Sequence, residues 1–327
     1  MHKITQKCNK ISCWIITEGI AGTENQCVGV ASALNIAPEI KRIALNEPWK
    51  SLSPYLGLEQ KWTFSPKITP PWPDLLITSG RKSIAAARYI KRMSTGETIL
   101  VHIQDPRVPV KNFDLIAVPE HDPLRGDNVI VTKGSPNKIT LDSINNAKSA
   151  FPELSALPSP RVAVLIGGTS RAYNMTQSIT EKLAHDLLML NKEQSASLMI
   201  TCSRRTGENN KAILEAALKN DMNYFWNGQG DNPYLAMLGI ADYILVTADS
   251  ASMISESCTT GKPVYMINLE GGAKRISKLH SNLMCHGVLK PFKGKIELFS
   301  YEPLNDAQFV ANEIKKRFGT LLGLTNS

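Results

Sequence analysis

The stretch "YILVTADSASMISESCTTGKPVYMI", residues 243–267, reads as strand, turn, helix, turn and strand in one run. Its two ends, "YILVT" and "VYMI", are β-branched and aromatic on consecutive positions, as strands buried on both faces are. Between them Asp249 or Ser250 supplies an N-cap, Gly261 a C-terminal stop, and Pro263 prevents continuation of the helix. A helix that begins Asp249-Ser250-Ala251-Ser252 offers free N–H groups and the positive end of its dipole, which favour phosphate. Glu256 follows one turn later. It is not the carboxylate of a capping box, because Met253 holds the place where Ser or Thr is needed. It is therefore solvated, ion-paired or turned toward a ligand, and a carboxylate can accept both hydrogen bonds of a ribose diol.

Working outward, the same alternation repeats along the chain. Strands are expected at 13–17, 74–79, 98–103, 115–119, 128–132, 161–167, 197–203, 243–247 and 264–267. Helices are expected at 24–34, 81–93, 174–191, 208–219, 233–240, 251–260 and 306–318. Repeated βα order predicts a doubly wound α/β architecture. "FPELSALPSPR" (151–161) carries three prolines and reads as a linker. The expected division is a first domain over 1–150, a linker over 151–160 and a second domain over 161–304.

A chain of 327 residues favours two domains over one. Its 43% hydrophobic and 20% charged content is that of a globular protein. No apolar run is long enough for a transmembrane helix, and the basic start "MHKITQKCNK" leads into a first strand rather than a signal peptide. The six cysteines (Cys8, Cys13, Cys27, Cys202, Cys258, Cys285) and six histidines show no metal-ligand spacing, so no metal and a reducing cytoplasmic setting are expected. The formal charge of +8 is concentrated in segments such as 271–295. Solvated surface, an anionic nucleotide or peripheral contact with an anionic membrane would each account for it. Nucleic acid is not expected, because no binding motif surrounds those charges.

Other turns carry candidate chemistry. Gly167-Gly168-Thr169 closes a strand in a way that lets backbone N–H groups approach an anion, without the pattern of a Walker A loop or of GxGxxG. Ser203, Arg204, Arg205 and Thr206 leave the next strand with two guanidinium groups and two hydroxyls suited to a diphosphate. In the first half, Glu18, Gly22, Glu24, Asn25 and Gln26 follow one strand, and Gly80 and Arg81 another. Asp105 follows the third, where an aspartate before proline is also a turn former, and His121 beside Asp122 follows the fourth. Glu18, Glu24, Asp105 and His121 are unranked candidates for a general base.

These residues together resemble the Elm-type (elongated mitochondria) mitochondrial-fission family, which has bacterial as well as plant members. The resemblance is carried, in order, by "TEGIAGTENQCVGVASAL", "SGRKS", "IQDPR", "FDLIAVPEHD", "VLIGGTSRAYNM", "SRRTG" and the segment from Asn232 to Gly271. Many members have an aspartate at the place of Glu18, and some a histidine at that of Thr23. The family is similar to GT-B glycosyltransferases and its bacterial members have also been called nucleoside-diphosphate-sugar epimerases. The resemblance implies two Rossmann-like domains facing across a cleft, with helix 305–327 returning to the first. It implies a UDP-type nucleotide-sugar on the second domain, held by Gly167, Gly168, Thr169, Ser203, Arg204, Arg205, Thr206, Asp249, Ser250, Ser252 and Glu256. The first domain would present the acceptor, with Glu18, Asp105 and His121 as candidate catalytic residues, while Gly22, Asn25, Gln26, Gly80 and Arg81 on its wall of the cleft are further candidates for binding the nucleotide-sugar. Three activities follow: metal-independent glycosyl transfer, epimerisation of a nucleotide-sugar, or a non-catalytic adaptor that kept the fold.

Overall fold

A computed structural model describes residues 11–324. The basic tail before the first strand, and Cys8 within it, lie outside the described residues. The described residues divide into two compact units, one of residues 11–132, 136–138 and 306–324, the other of residues 133–135 and 139–305. The division therefore falls near residue 135 rather than at 150. The segment read as a linker contains a helical turn, Pro152–Ser155, whose Leu154 is completely buried in the second unit's core.

The first unit is built on β1 (Cys13–Thr17), β2 (Glu39–Arg42), the short pair β3 (Ala44–Leu45) and β4 (Phe64–Ser65), then β5 (Leu75–Ser79), β6 (Ile99–Ile103), β7 (Leu115–Pro119) and β8 (Val129–Thr132). Six of these form one sheet in the order β2-β1-β5-β6-β7-β8, every neighbouring pair parallel. Its helices are α1 (Ala21–Ala33), α2 (Trp49–Leu52) and α3 (Ser83–Met93). Strand periodicity sorts the core into two layers. Cys13, Ile15, Leu75, Ile77 and Val101 pack with α1, whereas Trp14, Ile16, Leu76 and Leu100 pack with α3.

In the second unit α4 (Leu141–Lys148) and α5 (Pro152–Ser155) precede β9 (Arg161–Ile166). Then follow β10 (Tyr173–Asn174), α6 (Gln177–Gln194), β11 (Ser197–Cys202), α7 (Glu208–Leu218), β12 (Tyr224–Trp226), α8 (Tyr234–Ile240) and β13 (Tyr243–Thr247). The unit closes with α9 (Ala251–Cys258), β14 (Val264–Ile267), β15 (Glu270–Gly271), α10 (Lys274–Cys285) and β16 (Lys290–Pro291). The main sheet is again six-stranded and parallel, in the order β12-β11-β9-β13-β14-β16. Counted within the unit, that is the doubly wound order 3-2-1-4-5-6, and the strand order reverses between β9 and β13. The first sheet reverses in the same sense between β1 and β5. Ligands of open α/β sheets bind at the carboxyl ends of strands beside such reversals.

The last helix, α11 (Asp306–Leu322), returns to the first unit. Val310, Ala311, Ile314 and Leu322 are buried in the layer that also holds Val30 and Ala31 of α1.

One buried polar group in the first sheet has a consequence for pH. His102 of β6 is wholly buried, its Nδ1 lies 2.8 Å from the Thr78 hydroxyl, and burial lowers its pKa to about 3. The unfolded chain takes up a proton at this ring near pH 6.5. The folded chain does so only near pH 3. The stability this neutral ring contributes is thus complete above pH 6.5 and is lost progressively as the pH falls toward 3. Unfolding free energies measured from pH 7 to 4 should fall less steeply in His102→Gln than in the parent. Equal slopes would show that His102 is accessible to protons in the folded state.

Candidate functional site

In the second unit the ends of β9, β11 and β13 are laced together at the reversal. The N–H of Gly167 donates to the Thr247 hydroxyl (2.7 Å), which itself donates to Asp249 Oδ1 (2.7 Å). The hydroxyls of Ser203 and Thr206 both donate to the carbonyl of Gly167, each at 2.6 Å. Arg205 donates through Nη2 to Asp249 Oδ2 at 2.5 Å, and its carbonyl accepts from the N–H of Thr169 at 3.0 Å. The Asp249 side chain is fully enclosed while that of Arg205 is 46% exposed, so the guanidinium bridges the buried carboxylate to the surface.

The two glycines are required by this lacing. A Cβ on Gly167 would lie 2.2 Å from the nearest Asp249 carboxylate oxygen. One on Gly168, which sits at φ +140°, would lie 2.2 Å from the Arg205 carbonyl oxygen. The glycines thus admit neighbouring chain segments as well as leaving backbone near the sheet edge.

These contacts revise the roles expected of several residues. Ser203 and Thr206 hold the Gly167 carbonyl rather than pointing their hydroxyls outward as phosphate donors. Thr169 gives its N–H to Arg205 and its hydroxyl accepts from the N–H of Met175 (3.1 Å). Asp249 turns inward, and the N-cap of α9 is Ser250, whose hydroxyl accepts from the N–H of Met253 at 3.3 Å. Arg204 remains on the surface, outside the network. Ser252 is half-buried in the first turn of α9.

Glu256 lies in the second turn of α9 and is 7% exposed. Its Oε2 accepts from the hydroxyl of Tyr234, at the start of α8, at 2.5 Å. Burial, and after it the charge of Glu256, raises the Tyr234 phenol well above its ordinary range, so it stays a donor at physiological pH. Glu256 is therefore a buried, anchored carboxylate. Tyr234 and Thr247 were not picked out as site residues from the sequence.

In the first unit Glu18, Gly80, Asp105 and His121 all follow the carboxyl ends of strands, those of β1, β5, β6 and β7. Glu18 pairs with Lys82 at 2.9 Å. Together with Lys50, Thr17, Ser83 and β3 the pair lines a cavity of about 170 Å³. Arg81 is exposed and its carbonyl accepts from the Ser53 hydroxyl. Gly22 and Asn25 lie in the first turns of α1 rather than in the preceding loop.

Three candidates take on structural roles instead. Gln26 is 4% exposed, and its side-chain Oε1 accepts from the Ser79 hydroxyl (2.8 Å) and Gln104 Nε2 (3.0 Å), tying α1 to the ends of β5 and β6. Glu24 forms a two-point pair with Arg42, at 3.0 and 2.7 Å. Asp105 accepts from the N–H of Arg107 at 2.8 Å, which is the turn expected of an aspartate before proline. His121 Nε2 stands 4.0 Å from Asp122 Oδ1, beyond hydrogen-bond range, so the two do not form an oriented base and acid. Lys82 and Lys50 escaped notice in the sequence, where neither has a distinguishing context.

Among the described residues no group of three or more His, Cys, Asp and Glu side chains is arranged to hold a metal ion, and Cys13, Cys27, Cys202, Cys258 and Cys285 are free thiols. No described helix is long and apolar enough to cross a membrane.

Two parallel six-stranded Rossmann-like sheets, each with a reversal marked by a glycine turn, define the class as GT-B-like. The chain belongs to the family described as Mitochondrial fission ELM1, whose profile matches residues 21–318. It is 33% identical over 272 residues to the mitochondrial fission protein ELM1 of Arabidopsis thaliana, covering 75% of this chain but only 64% of the Arabidopsis protein. It is 29% identical over 290 residues to an uncharacterized protein of Rickettsia prowazekii, covering 74% of this chain and 79% of that one. Among solved structures, the UDP-GlcNAc 2-epimerase of Methanocaldococcus jannaschii superimposes with a TM-score of 0.54 at 12% identity, over 93% of this chain and 99% of that one. The same enzyme in complex with UDP-GlcNAc and UDP gives 0.53 at 12% identity, over 94% and 99%. At that identity the likeness is one of fold.

Proposed function

We propose that the second unit binds a nucleoside diphosphate of the UDP type, as the donor half of a nucleotide-sugar, at the carboxyl ends of β9, β11 and β13. The observation that carries this reading is Glu256. A carboxylate buried to 7% exposure and anchored by the hydroxyl of the half-buried Tyr234 has the acceptor chemistry that a ribose diol needs. The start of α9 offers N–H groups and the positive end of a helix dipole to the diphosphate. Arg204 is the guanidinium left on the surface beside them, whereas Arg205 reaches an anion only while it also holds Asp249. The shared fold with an epimerase solved with UDP-GlcNAc and UDP supports the same class of ligand.

Metal-independent glycosyl transfer is the reaction this arrangement serves best. Preorganised N–H donors and a guanidinium stabilise a departing diphosphate in the way such groups stabilise other developing anions. The cavity beside Glu18, with Lys50 and Lys82 on its wall, is the place in the first unit for an acceptor, and Glu18 is its base. The reaction belongs to the cytoplasm, where the free thiols of the chain stay reduced.

Titration calorimetry with UDP, GDP, ADP, CMP and UDP-sugars tests the donor site. One diphosphonucleoside should bind, weakened about a hundredfold by Glu256→Ala, which removes two hydrogen bonds to a charged group. Tyr234→Phe should weaken it about tenfold, because the carboxylate remains but loses its anchor. Binding unchanged in both variants would place the ribose elsewhere. No binding of any nucleotide would remove the enzymatic readings and leave the adaptor. Product analysis with the nucleotide-sugar that binds separates transfer from epimerisation.

A further inference from the structure

Between β3 and β4 the chain makes an excursion, residues 46–63, that is closed at its base by the antiparallel pairing of those strands and by Asn46 N–H donating to Thr63 O at 2.9 Å. The excursion is firmly held. Trp49 is buried and its Nε1 donates to Gly57 O (2.9 Å). Arg88 of α3 donates to the Pro54 carbonyl (2.7 Å), the Leu56 carbonyl (2.6 Å) and the Glu59 carboxylate (2.8 Å), and Arg92 donates to the Glu59 carbonyl. Glu59 is 1% exposed, so its charge is fully engaged by these arginines.

A loop with this much internal bonding would ordinarily tuck its apolar side chains inward. This one packs Trp49 and Leu56 inward but leaves its other large apolar side chains in solvent. Of the twelve large apolar side chains that are exposed among the described residues, four fall within eleven positions of it: Leu52 (52%), Tyr55 (69%), Leu58 (79%) and Trp62 (55%). Leu58 is held at φ +61°, a left-handed conformation in which any side chain beyond glycine is strained. Trp62 stands edge-on to the buried Trp49 with ring centroids 4.7 Å apart, which fixes its exposed ring.

The charges around these side chains identify what they meet. Lys50, Lys61 and Lys67 are exposed, and Glu47 is the one exposed carboxylate over residues 46–67. Leucines with a tryptophan and a tyrosine, flanked by lysines, are the composition of a surface that lies in the headgroup region of a bilayer. The aromatic rings suit the interface, the leucines reach the acyl boundary, and the ammonium groups meet lipid phosphate. We propose that the 46–63 excursion docks the first unit onto an anionic phospholipid surface. This inference is independent of nucleotide binding, which concerns the other unit.

The test is co-sedimentation of the full chain with vesicles of phosphatidylcholine alone or with about 30 mol% phosphatidylglycerol. Binding is expected to the anionic vesicles and to weaken in about 0.5 M NaCl. The triple variant Leu52→Ser, Leu58→Ser, Trp62→Ser should bind them about tenfold less or worse. Its far-UV circular dichroism should stay that of the parent and its melting temperature should fall only slightly, because Leu52 and Leu58 are largely solvent-facing and Trp62 gives up only its edge contact with Trp49. Lys61→Glu with Lys67→Glu should weaken binding to anionic vesicles alone. Failure of the parent to sediment overturns the proposal, and so does a triple variant that sediments equally well, which would assign binding to the basic 271–295 segment. Self-association of the parent that the triple variant abolishes, without vesicle binding, would make the excursion a contact between copies and overturn it too.

Discussion

Gly168→Val should abolish nucleotide binding and lower the melting temperature by roughly 10 °C, through a loss of about 3–5 kcal/mol. The reason lies in what a side chain at 168 would strike. Its Cβ would stand 2.2 Å from the Arg205 carbonyl oxygen, 2.3 Å from the Arg205 carbonyl carbon and 2.5 Å from the Thr206 nitrogen. All three are backbone atoms, so no rotamer change relieves the clash. The 203–207 loop would have to leave the end of β9, withdrawing the hydroxyls of Ser203 and Thr206 from Gly167 O and the guanidinium of Arg205 from Asp249. Strain at φ +140° adds to the steric term. Differential scanning calorimetry with and without the bound nucleotide reads both effects. A variant that melts with the parent would show that the loop is not packed as described.

Ile314→Asp should have a comparable effect on the other unit. Ile314 is completely buried, among Val30, Ala31 and Leu115, where α11 covers the first sheet. Ile314→Ala removes that packing for about 2–5 kcal/mol. An aspartate there must either stay buried without its hydration or expel the helix, at about 4 kcal/mol or more. Hydrogen exchange distinguishes where the damage falls. Protection should collapse in α1, β1 and β5 and persist in β9, β11 and β13, since each unit has its own core. Uniform loss of protection across both sheets would mean that the chain unfolds as one body.

The central strands could be read from the sequence because their burial on both faces leaves an unbroken apolar run, as in "LLITS" or "RVAVLI". β2 escaped the same reading. It is an edge strand whose sequence, "EIKR", is mostly exposed and carries no apolar run. α10 was hidden in a basic segment, although Leu279, His280 and Leu283 mark a buried face at helical spacing. The segment 151–161 misled for the opposite reason, since prolines that suggest a linker also start a helical turn, with Pro152 at its first position.

At the site, the turns were legible but their internal bonding was not. Residue type cannot say whether a serine or threonine at a strand end faces a ligand or a neighbouring carbonyl, and Ser203 and Thr206 face Gly167. Asp249 and Ser250 are equally good caps by type, and only the demand of Thr247 and Arg205 for a carboxylate decides between them. Tyr234 stands 22 positions from Glu256 on another helix, so nothing local in the sequence joins them.

The return of α11 makes the first unit discontinuous in sequence, with residues 139–305 inserted into it. During synthesis this imposes an order. The first sheet emerges from the ribosome first, yet the layer containing Ile15, Val30 and Leu115 is covered by α1 alone until residues 306–322 have been made. The inserted unit has all of its strands earlier and can close its core in the interval. The half of the protein that is translated first is thus the half completed last, and its apolar face is the one a nascent chain must keep from aggregation.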